Sequence, residues 1–316
     1  MNIVKSLHPS LIYKSFSHQG KHYFAVSVLW GFDLNSAESV LEQALWQAIG
    51  DALGKNEIFD TGLPKAQAEM LVSGSYFAPA GKRVNAGKVS VSLGANSKEL
   101  MVFGDRHWIK GMGVGWGVSE PEPFTEMPVN YTRAFGGKDH AQNPLGMGID
   151  EIEGETGPVI PLPNIEYPDQ LIGSPKDRPR AASFNRIDMM CQQRMSYAGT
   201  YDQKYIETRM PGYPDDLDYR FFNDSAKDQW LDGYLQGDEE YEIRNMNPDH
   251  PVISGRIPAV NGRAFVNHEE KGEIVFREIP TRLDTVWFFP SALTGILIYR
   301  GLLEVAQVEV VSQQTL

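Results

Sequence analysis

The chain has 316 residues, of which 41% are hydrophobic and 22% are charged, a composition that is ordinary for a globular protein. Its 20 prolines exclude a bundle of long helices, and together with 30 glycines, 13 tyrosines, 15 phenylalanines and 6 tryptophans they indicate many turns and aromatic-filled sheets. The formal net charge of −12 disfavours binding to nucleic acid, which depends on clustered Lys and Arg.

The first hundred residues predict a sheet with one helix packed on it. Strands are predicted at 10–16, 22–31, 70–77, 88–93 and 98–103, with a hairpin turn at 18–21. Apolar residues repeat at four-residue spacing at Leu41, Leu45, Ile49 and Leu53. This spacing predicts an amphipathic helix whose apolar stripe faces the sheet.

From about residue 105 to 230 the regular patterns give way to proline-rich sequence. Twelve of the twenty prolines lie between Pro121 and Pro214, which excludes long regular elements there. Aromatic residues persist throughout this stretch, whereas disordered sequence is depleted in them. We therefore expect ordered irregular structure folded over the sheets, with short helices near 184–196 and 201–209 and a mobile loop at 146–157.

The β pattern returns in the last third of the chain. Six short strands are predicted at 241–246, 252–256, 264–267, 273–278, 283–289 and 296–300. Such spacing is typical of a second antiparallel sheet or sandwich. The predicted fold class is therefore mainly β (α+β), with antiparallel sheets or sandwich-like layers, one packed N-terminal helix and long ordered irregular segments.

Three regions follow from these patterns. Residues 1–104 form an N-terminal β-rich region with one helix, and residues 105–230 form a segment rich in Pro, Gly and aromatic residues that packs on it. Residues 231–316 form a C-terminal antiparallel β region. A single compact domain containing all three is the alternative.

The location of the protein is suggested by what its sequence lacks. The single cysteine, Cys191, excludes an internal disulfide framework. Pro9, Lys14 and His18 interrupt any apolar core of signal-peptide length. No window approaches the roughly 20 apolar residues that a spanning helix needs. We therefore expect a cytoplasmic protein without a membrane partner.

The most concentrated chemistry lies between Met101 and Gly146. Gly104 allows a sharp turn after a strand, and the next four residues offer an acid, a base, a titratable ring and a large aromatic face. Asp105 and His107 could be two metal ligands, but an acid bonded to its neighbours is the commoner arrangement. The residues that we expect to form the scaffold or contact a partner are Asp105, Arg106, His107, Trp108, Tyr131, Arg133 and Phe135.

Motifs for cofactors and common catalytic sites are missing. The alternating glycines from Gly111 to Gly117 are followed by Pro121 and Pro123, so they lack the helix that a dinucleotide phosphate requires. The seven histidines are scattered, and the sequence contains no His-Glu-x-x-His, Gly-x-Ser-x-Gly or phosphate-binding loop. We therefore predict no metal, no cofactor and no catalytic residues.

Clustered carboxylates are the strongest enzymatic lead. Asp215, Asp216 and Asp218 precede four residues that include three aromatic rings. Acid pairs beside aromatic faces are typical of glycosidases, and Asp-x-Asp can hold a divalent ion on a sugar nucleotide. Flanking Pro211 and Pro214 also fit plain turns and helix caps, which need no chemistry.

Several short motifs occur in one order along the chain. They are Leu45-Trp46, Asp60-Thr61-Gly62-Leu63-Pro64-Lys65, Val102 to Trp108, Arg133-Ala134-Phe135-Gly136-Gly137, Asn143-Pro144-Leu145-Gly146, Leu162 to Glu166, Ala198 to Asp202, Pro214-Asp215-Asp216, Phe221-Phe222-Asn223 and Leu283-Asp284-Thr285-Val286-Trp287. In this series the chain resembles a bacterial domain-of-unknown-function family encoded in type VI secretion clusters. The resemblance covers roughly residues 1–300 and supplies no established catalytic residue.

The resemblance implies a cytoplasmic effector adaptor or chaperone without catalysis. Its partners would be a cognate toxic effector and the PAAR-tipped spike onto which that effector is loaded. Its acidic surface would oppose a basic client. The alternatives are a carbohydrate-active enzyme that uses Asp215, Asp216 or Asp218, and a component of the secretion machine that every effector needs.

Overall fold

The structure, a computed structural model of the chain, describes residues 2–3, 11–40, 46–47, 49–50, 63–80, 82–111, 115–148, 160–270 and 273–305. Its strands are β1 (Asn2–Ile3), β2 (Leu11–His18), β3 (Lys21–Asp33), β4 (Glu69–Val72), β5 (Ser75–Phe77), β6 (Ala86–Leu93), β7 (Asn96–Phe103), β8 (Arg106–Gly111), β9 (Gly115–Val118), β10 (Glu126–Pro128), β11 (Pro161–Leu162), β12 (Ile165–Glu166), β13 (Glu240–Arg244), β14 (Val252–Arg256), β15 (Ala264–Glu270), β16 (Glu273–Ile279), β17 (Thr281–Phe289) and β18 (Thr294–Val305). The helices with described bounds are α1 (Gln192–Met195), α2 (Gln203–Thr208) and 3-10 turns at Tyr131–Arg133, Tyr219–Phe222, Lys227–Gln229 and Pro290–Ala292. The described chain is mainly β, as the sequence predicts.

Two five-stranded sheets dominate the described residues. The first sheet has the order β2–β3–β18–β17–β4, and the second has the order β12–β7–β6–β13–β14. Neighbouring strands are antiparallel in both, except that β4 runs parallel to β17. Smaller sheets are formed by β1–β15–β16, by β5–β10 and by β11–β8–β9. The prediction of antiparallel sheets is confirmed.

The main core lies where the two large sheets share apolar side chains. Strand β3 sends Val26 and Val28 into this core, and β6 of the second sheet contributes Val89 and Val91. Central strands such as β3 are buried on both faces, which accounts for their nearly continuous apolar sequence. At Gly295 any side chain would overlap the ring of Phe32, so this close approach requires glycine.

The opposite face of the first sheet is covered by two other groups of side chains. Leu29 and Trp287 pack with Ile49 on one part of that face. On another part, Ala25 packs with the buried Phe222 from the irregular middle of the chain. The irregular segment therefore forms a layer over the first sheet.

The predicted packed N-terminal helix is not confirmed. Most of residues 41–53, including Leu41, Leu45 and Leu53, lie outside the described residues. Within the described part, 46–47 and 49–50 have helical backbone, and Ile49 is buried. Residues 149–157, which are most of the loop predicted to be mobile at 146–157, also lie outside the described residues.

Two stretches form strands that the sequence does not delimit correctly. The single strand predicted at 70–77 is interrupted, because β4 and β5 belong to different sheets. Residues after Asp105 continue as β8 and pair with β9, so Gly111 and Gly115 belong to an antiparallel pair of strands. Within the described ranges, no helix has the length and hydrophobicity that crossing a bilayer requires.

Candidate functional site

Arg106 joins two sheets through a buried ion pair. Its guanidinium donates to Glu166 and lies 4.0 Å from the centre of the Phe103 ring. The second oxygen of Glu166 accepts a hydrogen bond from the backbone N–H of Ile172 at 2.9 Å. Burial raises the pKa of Glu166, and Arg106 opposes that shift only in part. Arg106 is therefore buried and ion-paired between the two sheets.

Asp105 lies on the surface in a small polar network. Its Oδ1 accepts hydrogen bonds from Asn164 Nδ2 at 3.0 Å and from Arg133 Nη1 at 3.3 Å. Arg133 also donates to Asn164 Oδ1 at 3.1 Å. His107 takes no part in these bonds, and its backbone N–H donates to Ser119 Oγ at 3.0 Å. In the residues that the structure describes, no group of three His, Cys, Asp or Glu side chains is placed to hold a metal ion.

The aromatic residues among the seven separate into two clusters. Trp108 and Phe135 pack together with Leu162 and Ile172. Tyr131 packs instead against Ile187 and Cys191. The seven predicted residues therefore lie in several neighbouring places and do not converge on one catalytic centre.

Tyr131 lines a pocket of about 540 Å³ that sequence patterns do not reveal. Its hydroxyl is buried and has no hydrogen-bond partner among the described residues. The pocket also contains Asp228, whose carboxylate accepts from Tyr167 at 2.7 Å and from Lys98 at 3.0 Å. Burial raises the pKa of the Cys191 thiol, which also lines the pocket, so the neutral thiol dominates at pH 7 and is a poor nucleophile.

The three clustered carboxylates all have structural partners. Asp215 makes a forked ion pair with Arg209, with oxygen–nitrogen distances of 2.7 to 2.9 Å. Asp216 accepts from the backbone N–H and hydroxyl of Thr200, and Asp218 caps the 3-10 turn by accepting from the N–H of Arg220.

These contacts lower the pKa of all three carboxyl groups. The side chain of Arg209 acts on Asp215, the backbone N–H of Thr200 on Asp216, and the side chain of Arg220 on Asp218. A glycosidase acid needs a raised pKa to remain protonated, and none of the three has one. The geometry fits the turn and cap interpretation.

A network of buried charges connects the irregular segment to the first sheet. Asp224 accepts from Lys65 at 3.0 Å and pairs with Arg194 at 2.9 Å. Glu69 pairs with Lys65 and accepts from the backbone N–H of Asp224 at 3.1 Å. Asp284, which pairs with Arg300, also accepts from the backbone N–H of Lys65 at 3.1 Å.

This buried network explains several of the ordered sequence motifs. Lys65 ends one motif, Asp224 directly follows another, and Asp284 lies within a third. These residues come together only because β4 lies beside β17 and the irregular segment folds over both. Sequence patterns do not reveal this network, because its charged residues are distant along the chain.

Exposed large apolar side chains concentrate in one segment of the chain. Thirteen large hydrophobic side chains are exposed among the described residues, and six of them lie within 189–210. We call these six the apolar strip: Met189, Met190, Met195, Tyr201, Ile206 and Met210. Exposed large apolar side chains at this density along a chain are typical of interaction sites. In the sequence, the only sign of the apolar strip is the high frequency of methionine between residues 189 and 210, a segment with no long helix.

A groove of about 700 Å³ lies beside the apolar strip, between β2 and residues 201–213. It is lined by Lys14, Ser15, Phe16, Ser17, His18, Gln19, Gly20, His22, Tyr201, Tyr205, Thr208, Arg209, Pro211, Gly212 and Tyr213. Four aromatic rings and four basic side chains are present, and no carboxylate is among these lining residues. The groove and the apolar strip share Tyr201.

Among known proteins, the chain matches one family. No curated protein and no solved structure shows significant similarity to the chain. A family model described as "Uncharacterized protein conserved in bacteria (DUF2169)" matches residues 19–300, which include the second large sheet, the first large sheet apart from β2 and the end of β18, the buried charge network and the apolar strip. The chain therefore belongs to this conserved bacterial family.

Proposed function

We propose that the protein is an effector adaptor or chaperone that works in the cytoplasm without catalysis. It binds a cognate toxic effector and helps to load that effector onto the PAAR-tipped spike of a type VI secretion system. The secretion context comes from the resemblance carried by the ordered motifs. The apolar strip is the observation that supports a protein partner.

The apolar strip suits a protein interface because of its composition. Methionine is unbranched and polarizable, so Met189, Met190 and Met195 adapt to the shape of an apolar partner. Tyr201 and Tyr205 pack edge to face with ring centres 4.7 Å apart, which presents a large aromatic surface. Residues of this kind anchor protein interfaces when they become buried.

The other charged groups support an interaction role over carbohydrate chemistry. Asp215, Asp216 and Asp218 are occupied by ion pairs and caps and have lowered pKa values. The buried carboxylates of Asp224 and Asp284 are paired with cations inside the fold. The chemistry of these side chains therefore stabilises the scaffold that carries the apolar strip.

The proposal is tested by co-expression with the toxin encoded beside this gene. We expect higher soluble yield of the toxin and a co-purifying complex. A triple variant, Met189→Ser, Met190→Ser and Met195→Ser, should lower recovery of the toxin about tenfold or more, because it removes apolar anchors from the interface. Its matched control, Ile109→Ser, Leu171→Ser and Phe276→Ser, changes three exposed apolar residues outside the apolar strip and should retain the toxin. If neither toxin nor spike protein is recovered with the wild-type protein, the proposal fails.

Gene deletion distinguishes an adaptor from a general secretion component. In a strain that delivers several toxins, loss of an adaptor should abolish delivery of one toxin and leave the others at wild-type levels. Competition assays against strains that each lack one immunity protein measure this directly. Loss of every toxin at once would instead indicate a general component.

A further inference from the structure

Strand β2 is an outer strand of the first sheet and pairs only with β3 among the described residues. The hairpin that joins them has a two-residue turn, Gln19–Gly20, in which both φ angles are positive, at 51° and 72°. This is the arrangement of a type I′ turn, and His18 and Lys21 therefore form the hydrogen-bonded pair that closes it. Hydrogen-bonded and non-hydrogen-bonded pairs alternate along an antiparallel ladder.

This alternation determines which backbone groups of β2 face away from the sheet. Counting back from His18, the non-hydrogen-bonded positions are Ser17, Ser15 and Tyr13. Their N–H and C=O groups point outward. An independent contact supports this count, since a side chain atom added at Gly212, across the groove, would lie 3.1 Å from the carbonyl oxygen of Ser17.

Ser15 and Ser17 line the groove, and Tyr13 lies next to it on the same strand, beyond Lys14. Ser15 and Tyr13 have exposed side chains, and no backbone bond outside the β2–β3 ladder involves β2 in the described residues. Unpaired edge groups are the template for adding another strand. The tyrosine rings on the facing wall, Tyr201, Tyr205 and Tyr213, provide surfaces for alternate side chains of that strand.

The charge of the groove is opposite in sign to that of the whole protein. Its charged and titratable lining residues are Lys14, His18, His22 and Arg209, with no Asp or Glu, although the net charge of the chain is −12. Arg209 is paired with Asp215, which is outside the lining set. The amine of Lys14 donates to Tyr213 at 3.1 Å and has no carboxylate partner among the described residues. An acidic segment is therefore the complementary occupant.

We propose that an extended, acidic segment of the effector adds to β2 as a further strand of the first sheet. Its backbone bonds to Tyr13 and Ser15, alternate side chains lie against the tyrosines of the groove, and an Asp or Glu pairs with Lys14. This inference rests on the proposed adaptor function and names the docking mode. Two copies of this chain are disfavoured at the same edge, because symmetric pairing would bring two Lys14 side chains and two net charges of −12 together.

The experiment compares Ser15→Pro with Ser15→Ala in complexes with the toxin encoded beside the gene. Proline removes the outward N–H of Ser15 but breaks no bond to β3, whereas alanine keeps that N–H. We expect Ser15→Pro to weaken toxin binding about tenfold or more and Ser15→Ala to change it less than about twofold. Lys14→Glu should weaken binding more than Lys14→Met, and the difference should shrink in high salt.

Amide hydrogen exchange supplies a readout that does not depend on mutation. In the free protein the amides of Tyr13 and Ser15 should exchange quickly, and toxin binding should slow both at least tenfold, while the amides of Lys14 and Phe16 are protected in both states. If the wild-type protein binds no toxin, the proposed function fails. If it binds toxin but Ser15→Pro binds equally well and the two amides stay unprotected, only the docking mode fails. A concentration-dependent dimer that Ser15→Pro abolishes would identify a second copy as the occupant and overturn the inference.

Discussion

Asp224 is a buried carboxylate around which three cations gather. Lys65 and Arg194 pair with it at 3.0 and 2.9 Å, and Arg186 lies at 3.5 Å. Asp224→Asn keeps the shape but leaves excess positive charge inside the fold. We expect the free energy of unfolding to fall by about 3–5 kcal/mol, as when one partner of a buried ion pair is removed. Urea unfolding followed by tryptophan fluorescence measures the change.

The matched control is an aspartate on the surface of the same region. Asp218 pairs with Arg220, but both side chains are more than one-third exposed. Exposed ion pairs contribute little, so Asp218→Asn should lower stability by less than about 1 kcal/mol. Equal losses from the two variants would contradict the structural role assigned to the buried network.

Lys98 makes stability depend on pH. Burial lowers its pKa to about 8 from the ordinary 10.5, although Asp228 opposes that shift. Between these two pH values the unfolded chain binds more protons than the folded chain, and stability therefore rises with pH in that window. We expect Lys98 to add about 1.5 kcal/mol to the free energy of unfolding between pH 8 and 9.5.

The Lys98 contribution is isolated by comparing variants at each pH. In Lys98→Met, the increase in the free energy of unfolding between pH 8 and 9.5 should disappear. In Lys88→Met it should persist, because Lys88 is exposed on the adjacent strand, where it pairs with Glu99. If the free energy of unfolding changes with pH in the same way in wild type and in Lys98→Met, the Lys98 amine is not buried in the folded protein.

Tyr131 combines a buried ring with a hydroxyl that has no hydrogen-bond partner in the described part of the chain. A buried polar group without a partner carries a desolvation cost. Tyr131→Phe should therefore leave the free energy of unfolding unchanged or raise it by up to about 1 kcal/mol, whereas Tyr131→Ala should lower it by about 3–5 kcal/mol through loss of the ring. Thermal denaturation distinguishes these outcomes. A clear loss of stability in Tyr131→Phe would mean that the hydroxyl has a structural partner.

At the level of elements, the position of β2 in the hairpin predicts that prolines at two adjacent positions destabilise the protein to very different extents. Phe16 is a hydrogen-bonded position opposite Tyr23, and its N–H bonds to β3. Phe16→Pro should therefore destabilise the protein by about 3 kcal/mol, whereas Ser15→Pro should cost much less because its N–H points outward. Chemical denaturation of the two single variants measures this difference. A similar loss in both would show that the alternation is assigned incorrectly.

Sequence periodicity predicts most of the strands because it depends on neighbouring residues. The alternating residues of β6 and β7 and the aromatic hairpin of β2 and β3 are examples. The break between β4 and β5 escapes prediction because the apolar pattern continues through it while the chain changes sheets. The confirmed elements are those whose signal is local.

The candidate site is less predictable from the sequence because its parts are distant along the chain. The carboxylate of Asp224 and the amine of Lys65 are separated by 159 positions, and spacing provides no sign that they meet. The groove likewise joins β2 to residues near Tyr205. Conversely, Asp105 to Trp108 are adjacent in sequence, but their side chains divide between the surface and two buried contacts.

For the whole molecule, strand pairing ties the beginning, middle and end of the chain together. Strand β13 pairs with β6, β12 pairs with β7, and β18 lies between β3 and β17. The buried charges add a second connection, since residues from the middle segment pair with Lys65. Separate unfolding of any third of the chain would break ladders and leave buried charges without partners.

These connections predict one cooperative unfolding transition, even though a chain of 316 residues exceeds the usual size for two-state behaviour. Tryptophan fluorescence reports on Trp30, Trp108 and Trp287 in different parts of the chain, and far-UV circular dichroism reports on the sheets. We expect both signals to change at the same urea concentration, because no large sheet is built from one contiguous third of the sequence. Asp224→Asn should move both transitions together to lower urea. Two resolved transitions, or a shift in only one signal, would show that the irregular segment unfolds independently of the sheets it covers.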